Sequence, residues 1–233
     1  GTKKDPAAAE ARALLMANTF AQAYVDEDTE AFNKYLVPNS ENLVDNFTTG
    51  AAVYKRYVTK YEPETQTALI VYEYEYDADR MKTWGIEAPV TVGVPYREAM
   101  RLHFTGEGSD MLISSMTFEV SSDPDNNYLV SSLDDFKLLY ANDLGLPDFV
   151  AASDGLTIGS GDPTQAAETL LGLSPAASQL SGTDSAAPDI TKVTFTFRDN
   201  SKVILTMVDQ FGQGWLPQDW TDGKNAADRS AAD

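Results

Sequence analysis

The chain has 233 residues, with 36 Asp plus Glu against 17 Lys plus Arg and a formal net charge of −19. A surface this acidic repels a polyanion, which excludes nucleic acid and anionic membrane surfaces as partners. Cysteine is absent, removing disulfides, zinc thiolate sites and cysteine nucleophiles together, while 42% hydrophobic and 10% aromatic residues are what a folded domain uses.

The opening Gly1-Thr2-Lys3-Lys4-Asp5-Pro6 has no initiator Met and leads into an alanine-rich stretch. Mature bacterial lipoproteins continue this way after their lipid-bearing cysteine, so a removed leader is expected, with membrane attachment only through that anchor. From Ala7 to Leu36 the pattern is helical. Ala11, Leu14, Leu15, Phe20, Ala21 and Tyr24 form a first apolar stripe. The acidic run Asp26 to Glu30 interrupts it, and Asp28 or Thr29 is placed to cap a second short helix carrying Ala31, Phe32, Tyr35 and Leu36. Pro38 ends that helix, and Asn39 to Phe47 suits a third.

After Gly50 the period changes to two. Tyr54 to Tyr61 and Thr67 to Asp77 are rich in aromatic and β-branched residues, and Pro63-Glu64 sits between them as a turn, so a hairpin is predicted. Ala68, Ile70, Tyr72, Tyr74 and Tyr76 share one face of its second strand, and Leu69, Val71, Glu73, Glu75 and Asp77 the other. Strands follow at Arg97 to Thr105 and Met111 to Val120, joined through Gly106 to Asp110. Their inward sets are expected to be Met100, Leu102 and Phe104, and Leu112, Met116, Phe118 and Val120.

Farther on, Ser131 to Asn142 forms a helical pattern capped by Ser132, with Leu133, Phe136, Leu139 and Tyr140 on its apolar side, and Pro147 to Ala152 suits another helical turn. Residues 153–189 are rich in Gly, Ser, Ala, Thr and Asp; a loop, a short helix over Gln165 to Leu171 and a second loop are expected there. Ile190 to Phe197 and Lys202 to Val208 alternate strictly, placing Val193, Phe195, Phe197, Val203, Leu205 and Met207 inside a hairpin turned at Asp199-Asn200. Trp215 to Trp220 suits either an exposed aromatic contact or a segment closing a core edge, and residues 221–233 form a polar tail.

Few residues carry recognisable chemistry. His103 is the single histidine, so any Ser-His-Asp site or histidine ligand set would need it. It shares a strand face with Arg97, Ala99, Arg101 and Thr105, which suits an exposed sheet face better than a triad. Asp123, Asp125, Asn127 and Asp134 stand at positions 1, 3, 5 and 12 of a calcium-loop pattern, but Tyr128 occupies the position that wants Gly and Asp134 replaces the usual bidentate Glu. A turn rich in Asp and Asn explains the same residues, and no metal is assigned. Neither a P-loop nor a dinucleotide fingerprint occurs, and no cofactor is expected. Tyrosine is the more telling residue: of 11, Tyr54, Tyr57, Tyr61, Tyr72, Tyr74 and Tyr76 crowd into the first hairpin. Tyr54, Tyr72, Tyr74 and Tyr76 are the expected ligand-binding set if the sheet face is concave, the alternative being plain cross-strand packing.

Phe20-Ala21-Gln22-Ala23-Tyr24, the segment Asp28 to Leu36 and the hairpin Tyr54 to Asp77 follow an order that resembles the nuclear-transport-factor-two-like superfamily, the cystatin-like α+β cone. The segment Thr194 to Val203 leading to Trp215 to Trp220 is similar to the C-terminal part of secreted lipoproteins of Gram-positive gut bacteria. Together these imply an α+β fold: N-terminal helices on a curved, mainly antiparallel sheet over residues 7–125, then a smaller helix-plus-hairpin part over 126–220 with its hairpin at 190–208. The resemblance implies an extracellular or cell-surface, non-enzymatic protein binding a small ligand or a cell-envelope protein through the cone. Enzymes of that superfamily, such as ketosteroid isomerase and scytalone dehydratase, do acid–base chemistry inside the cone with a carboxylate or histidine and tyrosine donors. A pocket enzyme of isomerase or dehydratase type, acting on a small apolar substrate, is the alternative, although no motif here matches theirs residue by residue.

Overall fold

A computed structural model describes residues 5–28, 30–40, 50–85, 94–146, 161–209, 212 and 214–224. Among them the chain is α+β, with four α-helices and two antiparallel four-stranded sheets. It divides into two compact units, Gly1–Gly93 with Arg97–Glu119, and Val94–Tyr96 with Val120–Asp233.

In the first unit, helix α1 (Pro6–Asp26) starts where Asp5 accepts the N–H groups of Ala7 and Ala8, at 3.1 and 3.3 Å, with Pro6 in the first turn. It stops where Glu27 turns left-handed at φ 56°. Its buried residues include Ala13, Met16, Ala17, Phe20, Ala21 and Tyr24, while Leu15 is 51% exposed. The inward stripe is therefore rotated from the one expected through Ala11, Leu14 and Leu15. Phe20, Ala21 and Tyr24 belong to both stripes. At about 100° per residue Ala13, Met16 and Ala17 stand within roughly 60° of Phe20, whereas Ala11, Leu14 and Leu15 stand more than about 100° from it, so the stripe that Phe20 anchors does not include them.

The second helix expected after Asp28 is only a turn and a 3-10 segment, Asn33–Tyr35, though Phe32 and Tyr35 are buried as anticipated. Asp28 accepts the Glu30 N–H at 3.1 Å. Leu36 is drawn instead into a parallel bridge with Ile113, and Val37, which precedes Pro38, donates to the Ile113 carbonyl at 3.0 Å. The expected helix at 39–47 falls largely on 41–49, outside the described residues.

Strands β1 (Ala52–Glu62) and β2 (Thr67–Tyr76) form the predicted hairpin, with Gln66 at φ 53° completing its turn. A short helix that sequence reasoning did not find, α2 (Ala78–Thr83), is capped by Asp77, which accepts the Arg80 N–H at 2.9 Å. Strands β3 (Tyr96–Thr105) and β4 (Leu112–Ser121) complete the sheet in the order β1-β2-β3-β4. Met100, Leu102 and Phe104 face the core as expected. On β4 the expectation holds in part: Met116 packs against the core and Val120 is buried, but Ile113 enters the core where Leu112 was expected, and Phe118 is 41% exposed. Two inward side chains three residues apart break strict alternation, so no single parity describes this strand.

In the second unit, α3 (Leu133–Tyr140) is capped by Ser132, whose Oγ accepts the Asp135 N–H at 3.0 Å. Helix α4 (Pro163–Leu171) is capped by Asp162. Strands β5 (Ser178–Ala187), β6 (Ile190–Phe197), β7 (Lys202–Val208) and β8 (Leu216–Thr221) lie in sequential order. The β6–β7 hairpin is as predicted, with Asn200 at φ 67° and all six expected side chains at most 2% exposed. Strand β5 occupies sequence expected to be loop. It is an edge strand whose Gly182, Thr183, Asp184 and Ser185 are exposed, so backbone pairing with β6 holds it and no apolar alternation announces it. The Trp215–Trp220 segment closes a core edge: Trp215 is buried, β8 pairs with β7, and the Trp220 ring meets Phe136 edge-on at 5.2 Å. Residues 147–152 and most of the polar tail lie outside the described residues.

Candidate functional site

A β-bulge between Tyr54 and Arg56 builds the tyrosine face. With strict alternation Tyr54 and Tyr57 would point to opposite faces. The register shift instead pairs Tyr54 with Tyr74 and Tyr57 with Tyr72, so both β1 tyrosines meet the α1 side. Tyr24 reaches them from α1, its ring centroid 5.1 Å from Tyr54 and 5.3 Å from Tyr72. Tyr54 meets Tyr72 edge-on at 4.9 Å and Tyr74 at 5.3 Å, and Tyr74 meets Tyr76 at 5.9 Å. All four expected ligand-binding tyrosines thus lie in one network, with Tyr72 and Tyr74 buried and Tyr54 and Tyr76 half-buried. The rings touch one another as cross-strand pairs do.

This network holds a carboxylate that sequence reasoning missed. Glu98 is 6% exposed and stands at the head of the inward β3 set Met100, Leu102 and Phe104. The Tyr54 hydroxyl donates to its Oε1 at 3.4 Å. The signal was present: a charged residue in phase with three apolar ones on a strand. Burial, and secondarily the negative charge of Glu98, hold the Tyr24 and Tyr54 hydroxyls well above the usual tyrosine range; burial, the neighbouring tyrosines and Glu98 do the same for Tyr72. All three therefore remain protonated at neutral pH, each able to donate and to accept.

Polar satisfaction is uneven across the cluster. Tyr57 donates to Gln22 Oε1 at 3.1 Å and Thr59 donates to Asn18 Oδ1 at 2.9 Å, both fastening α1 to β1. The Tyr72 hydroxyl is sealed from solvent and has no hydrogen-bond partner. A buried hydroxyl left so costs about 1–3 kcal/mol.

The opposite sheet face corrects the expectation of an exposed arginine face. Arg97 is fully buried and donates to Glu73 at 3.3–3.4 Å, while Arg56 grips the same carboxylate through two bonds of 2.9 and 3.0 Å. Arg101 binds Glu62 at 2.7 Å, Glu119 at 2.9 Å and Thr67 at 3.0 Å, so Glu73 of β2, Glu62 of β1 and Glu119 of β4 all serve cross-strand ion pairs. His103 lies half-exposed with its Nε2 2.9 Å from Thr117 Oγ1, a contact across the ladder.

Asp123 accepts the Asp125 N–H at 3.0 Å and Asn126 accepts the Tyr128 N–H at 2.8 Å, two Asx turns in succession. Asp134 stands in the first turn of α3. Burial and the adjacent Asp123 raise the Asp125 pKa. Among the described residues no group of three or more His, Asp or Glu side chains is placed to hold a metal ion.

A separate open cleft of about 730 Å³ lies at the hairpin tip, lined by residues including Pro6, Tyr61, Pro63, Gln66, Glu107 and Met111. Several of its polar groups are engaged by the fold itself. Asp5 caps α1, and the Gln66 amide donates to the Gly106 carbonyl at 2.5 Å. No described helix is long and apolar enough to cross a membrane.

The chain matches no family model and no curated protein.

Proposed function

We propose that this chain is a non-enzymatic cell-surface protein, secreted or lipid-anchored, that binds a small ligand or an envelope partner through the tyrosine face of its N-terminal unit. The observation that carries this reading is the Tyr72 hydroxyl, fully buried and unpartnered beside a buried carboxylate. Packing alone would be served better by Phe at that position, because the hydroxyl adds a desolvation cost and no bond. A ligand group that completes the hydroxyl's bonding gives it a use. The resemblance of the helix–hairpin order to cystatin-like cones supports the same location, and the resemblance of the C-terminal segment supports the surface setting.

The test is a fragment screen on the whole chain followed by amide chemical shifts. Fragments are expected to move the amides of Tyr24, Tyr54, Tyr72 and Glu98 together. Perturbations confined to other surfaces, such as the hairpin-tip cleft, would overturn the placement.

The Tyr54–Glu98 contact favours one second reading, an acid–base enzyme of isomerase or dehydratase type. Glu98 would take a proton from carbon while the Tyr54 hydroxyl steadies the substrate oxygen. It predicts deuterium exchange alpha to the carbonyl of a small apolar enone, lost in Glu98→Gln; absence of exchange in the unaltered chain removes it.

A further inference from the structure

The cleft at the hairpin tip lies wholly within the first unit, where the start of α1, the β1–β2 turn and the β3–β4 turn meet. Bonds between those segments fix its walls. The Gln66 carbonyl accepts the Phe104 N–H at 3.1 Å, its side-chain amide donates to the Gly106 carbonyl at 2.5 Å, and Arg12 of α1 donates to the Met111 carbonyl at 3.2 Å. Gly106 stands at φ 91°, and a Cβ there would lie 2.9 Å from the Asp110 carbonyl oxygen, so the β3–β4 turn keeps this shape only with glycine. The concavity is therefore preformed, and its 730 Å³ falls in the range of about 300–1,000 Å³ that ligand sites occupy.

Its lining joins apolar surface from Pro6, Tyr61, Pro63 and Met111 to the carboxylates of Asp5, Glu64 and Glu107, with no basic side chain among the described residues that line it. Glu64 is exposed at the β1–β2 turn and makes no hydrogen bond or ion pair. Asp5 uses one carboxylate oxygen on the first N–H groups of α1. Tyr61 is half-buried, its ring 6.4 Å from that of Phe104, and its hydroxyl has no hydrogen-bond partner. Such a lining repels an anion and gives a neutral apolar group no electrostatic gain. An ammonium supplies charge but neither a fork of donors nor a flat face. A guanidinium on an aliphatic stem matches the whole lining: paired N–H donors for a carboxylate, a planar cation for the Tyr61 ring, and methylenes for the prolines and Met111.

We propose that this cleft docks an arginine side chain presented by a basic segment of a partner protein, its guanidinium paired with Glu64 and its flat face toward Tyr61. The cleft is open on one side, which suits a side chain carried on a continuous backbone. The excess of 36 acidic over 17 basic residues steers a basic segment toward the chain, and the lining decides where it stops. This inference is independent of the tyrosine face.

The experiment titrates the whole chain with the end-blocked tripeptides Ala-Arg-Ala, Ala-citrulline-Ala, Ala-Lys-Ala and Ala-Glu-Ala, at about physiological ionic strength to screen scattered carboxylates, and follows amide shifts. Ala-Arg-Ala is expected to shift the Tyr61, Glu64, Gln66 and Gly106 amides saturably, and to bind several-fold more tightly than the other three. Glu64→Gln should weaken it about fivefold, the upper worth of an exposed ion pair. Tyr61→Leu keeps apolar bulk while removing the ring face, and should weaken it by a factor of about two to five. Equal binding of the citrulline peptide shows that charge is not read, and equal binding of the lysine peptide shows that the guanidinium is not; either overturns the assignment. Shifts spread over other acidic surfaces, shifts at Tyr24, Tyr54 and Tyr72 in place of the cleft, binding unchanged in Glu64→Gln, or no binding each overturn it as well. Lys3 and Lys4 directly precede Asp5, so the titration is repeated with both changed to Gln. Binding that appears only in that variant makes the chain's own lysines the occupant and overturns the partner assignment. The fragment screen above tests the tyrosine face separately, so failure of either inference is read without the other.

Discussion

Glu73 accepts hydrogen bonds from two guanidinium groups, and its surroundings decide what its loss would do. Arg97 is fully buried and Arg56 is partly exposed, so the carboxylate balances a charge that water cannot reach. Removing one member of a buried ion pair costs about 3–5 kcal/mol, far above the worth of a surface pair. Glu73→Ala is therefore expected to lower unfolding free energy by about that amount in urea titration, whereas Glu119→Ala, which removes a more exposed partner of Arg101, should cost about 1 kcal/mol or less. A loss for Glu73→Ala as small as that for Glu119→Ala would contradict the buried network. From sequence, Glu73 was correctly placed on the face of Leu69 and Val71, but alternation says only which residues share a face. It does not say that the face is covered. Glu98 differs: a carboxylate in phase with Met100, Leu102 and Phe104 is legible as a buried charge once that phase is known to face inward.

At the scale of elements, local chemistry was the dependable guide. Asp5, Ser132 and Asp162 each accept a backbone N–H at a helix start, because side-chain oxygens two or three residues away are the nearest acceptors for those donors. Helix ends make a sharper test. Gly172 terminates α4 at φ 63°, and a Cβ there would lie 2.6 Å from the Ser122 Cα, backbone that cannot step aside. Gly85 has nearly the same φ, 64°, but open space around the missing Cβ. Gly85→Ala should thus cost only the left-handed penalty of about 1–2 kcal/mol. Gly172→Ala adds a backbone clash and should cost more, with a clearly lower melting temperature than Gly85→Ala. Equal melting temperatures would show that the close approach of Gly172 to Ser122 is not maintained. Strand β5 and the irregular β4 were illegible for the opposite reason: one is held by backbone pairing without an apolar pattern, and the other sends Ile113 and Met116 the same way.

Over the whole molecule, alkaline pH reads out the buried tyrosines. Burial, with the charge of Glu98 adding to it, raises the Tyr24, Tyr54 and Tyr72 pKa values in the folded state. In the unfolded chain they ionise near the ordinary value of about 10. The folded state thus keeps protons that the unfolded state releases. Their contribution to stability is fully present below about pH 10 and is lost as pH rises from there toward the folded values. Stability should fall steeply above about pH 10, with a late rise in tyrosinate absorbance that coincides with loss of structure. Tyr72→Phe should flatten that slope. A smooth titration of every tyrosine in the still-folded chain would contradict the sealed cluster.

By itself the sequence determined much of what depends on neighbours along the chain: the helical stretches of α1, α3 and α4, the two hairpins and the inward set of β6 and β7. It also determined the net charge of −19. Only the tertiary structure decided which stripe of α1 faces inward, that Glu73 and Arg97 are buried, and that the tyrosines of α1, β1 and β2 meet around a carboxylate. Periodicity assigns residues to faces, whereas burial and pairing depend on partners distant in sequence; Tyr24 and Glu98 lie 74 positions apart in the numbering and become neighbours only when α1 packs on the sheet.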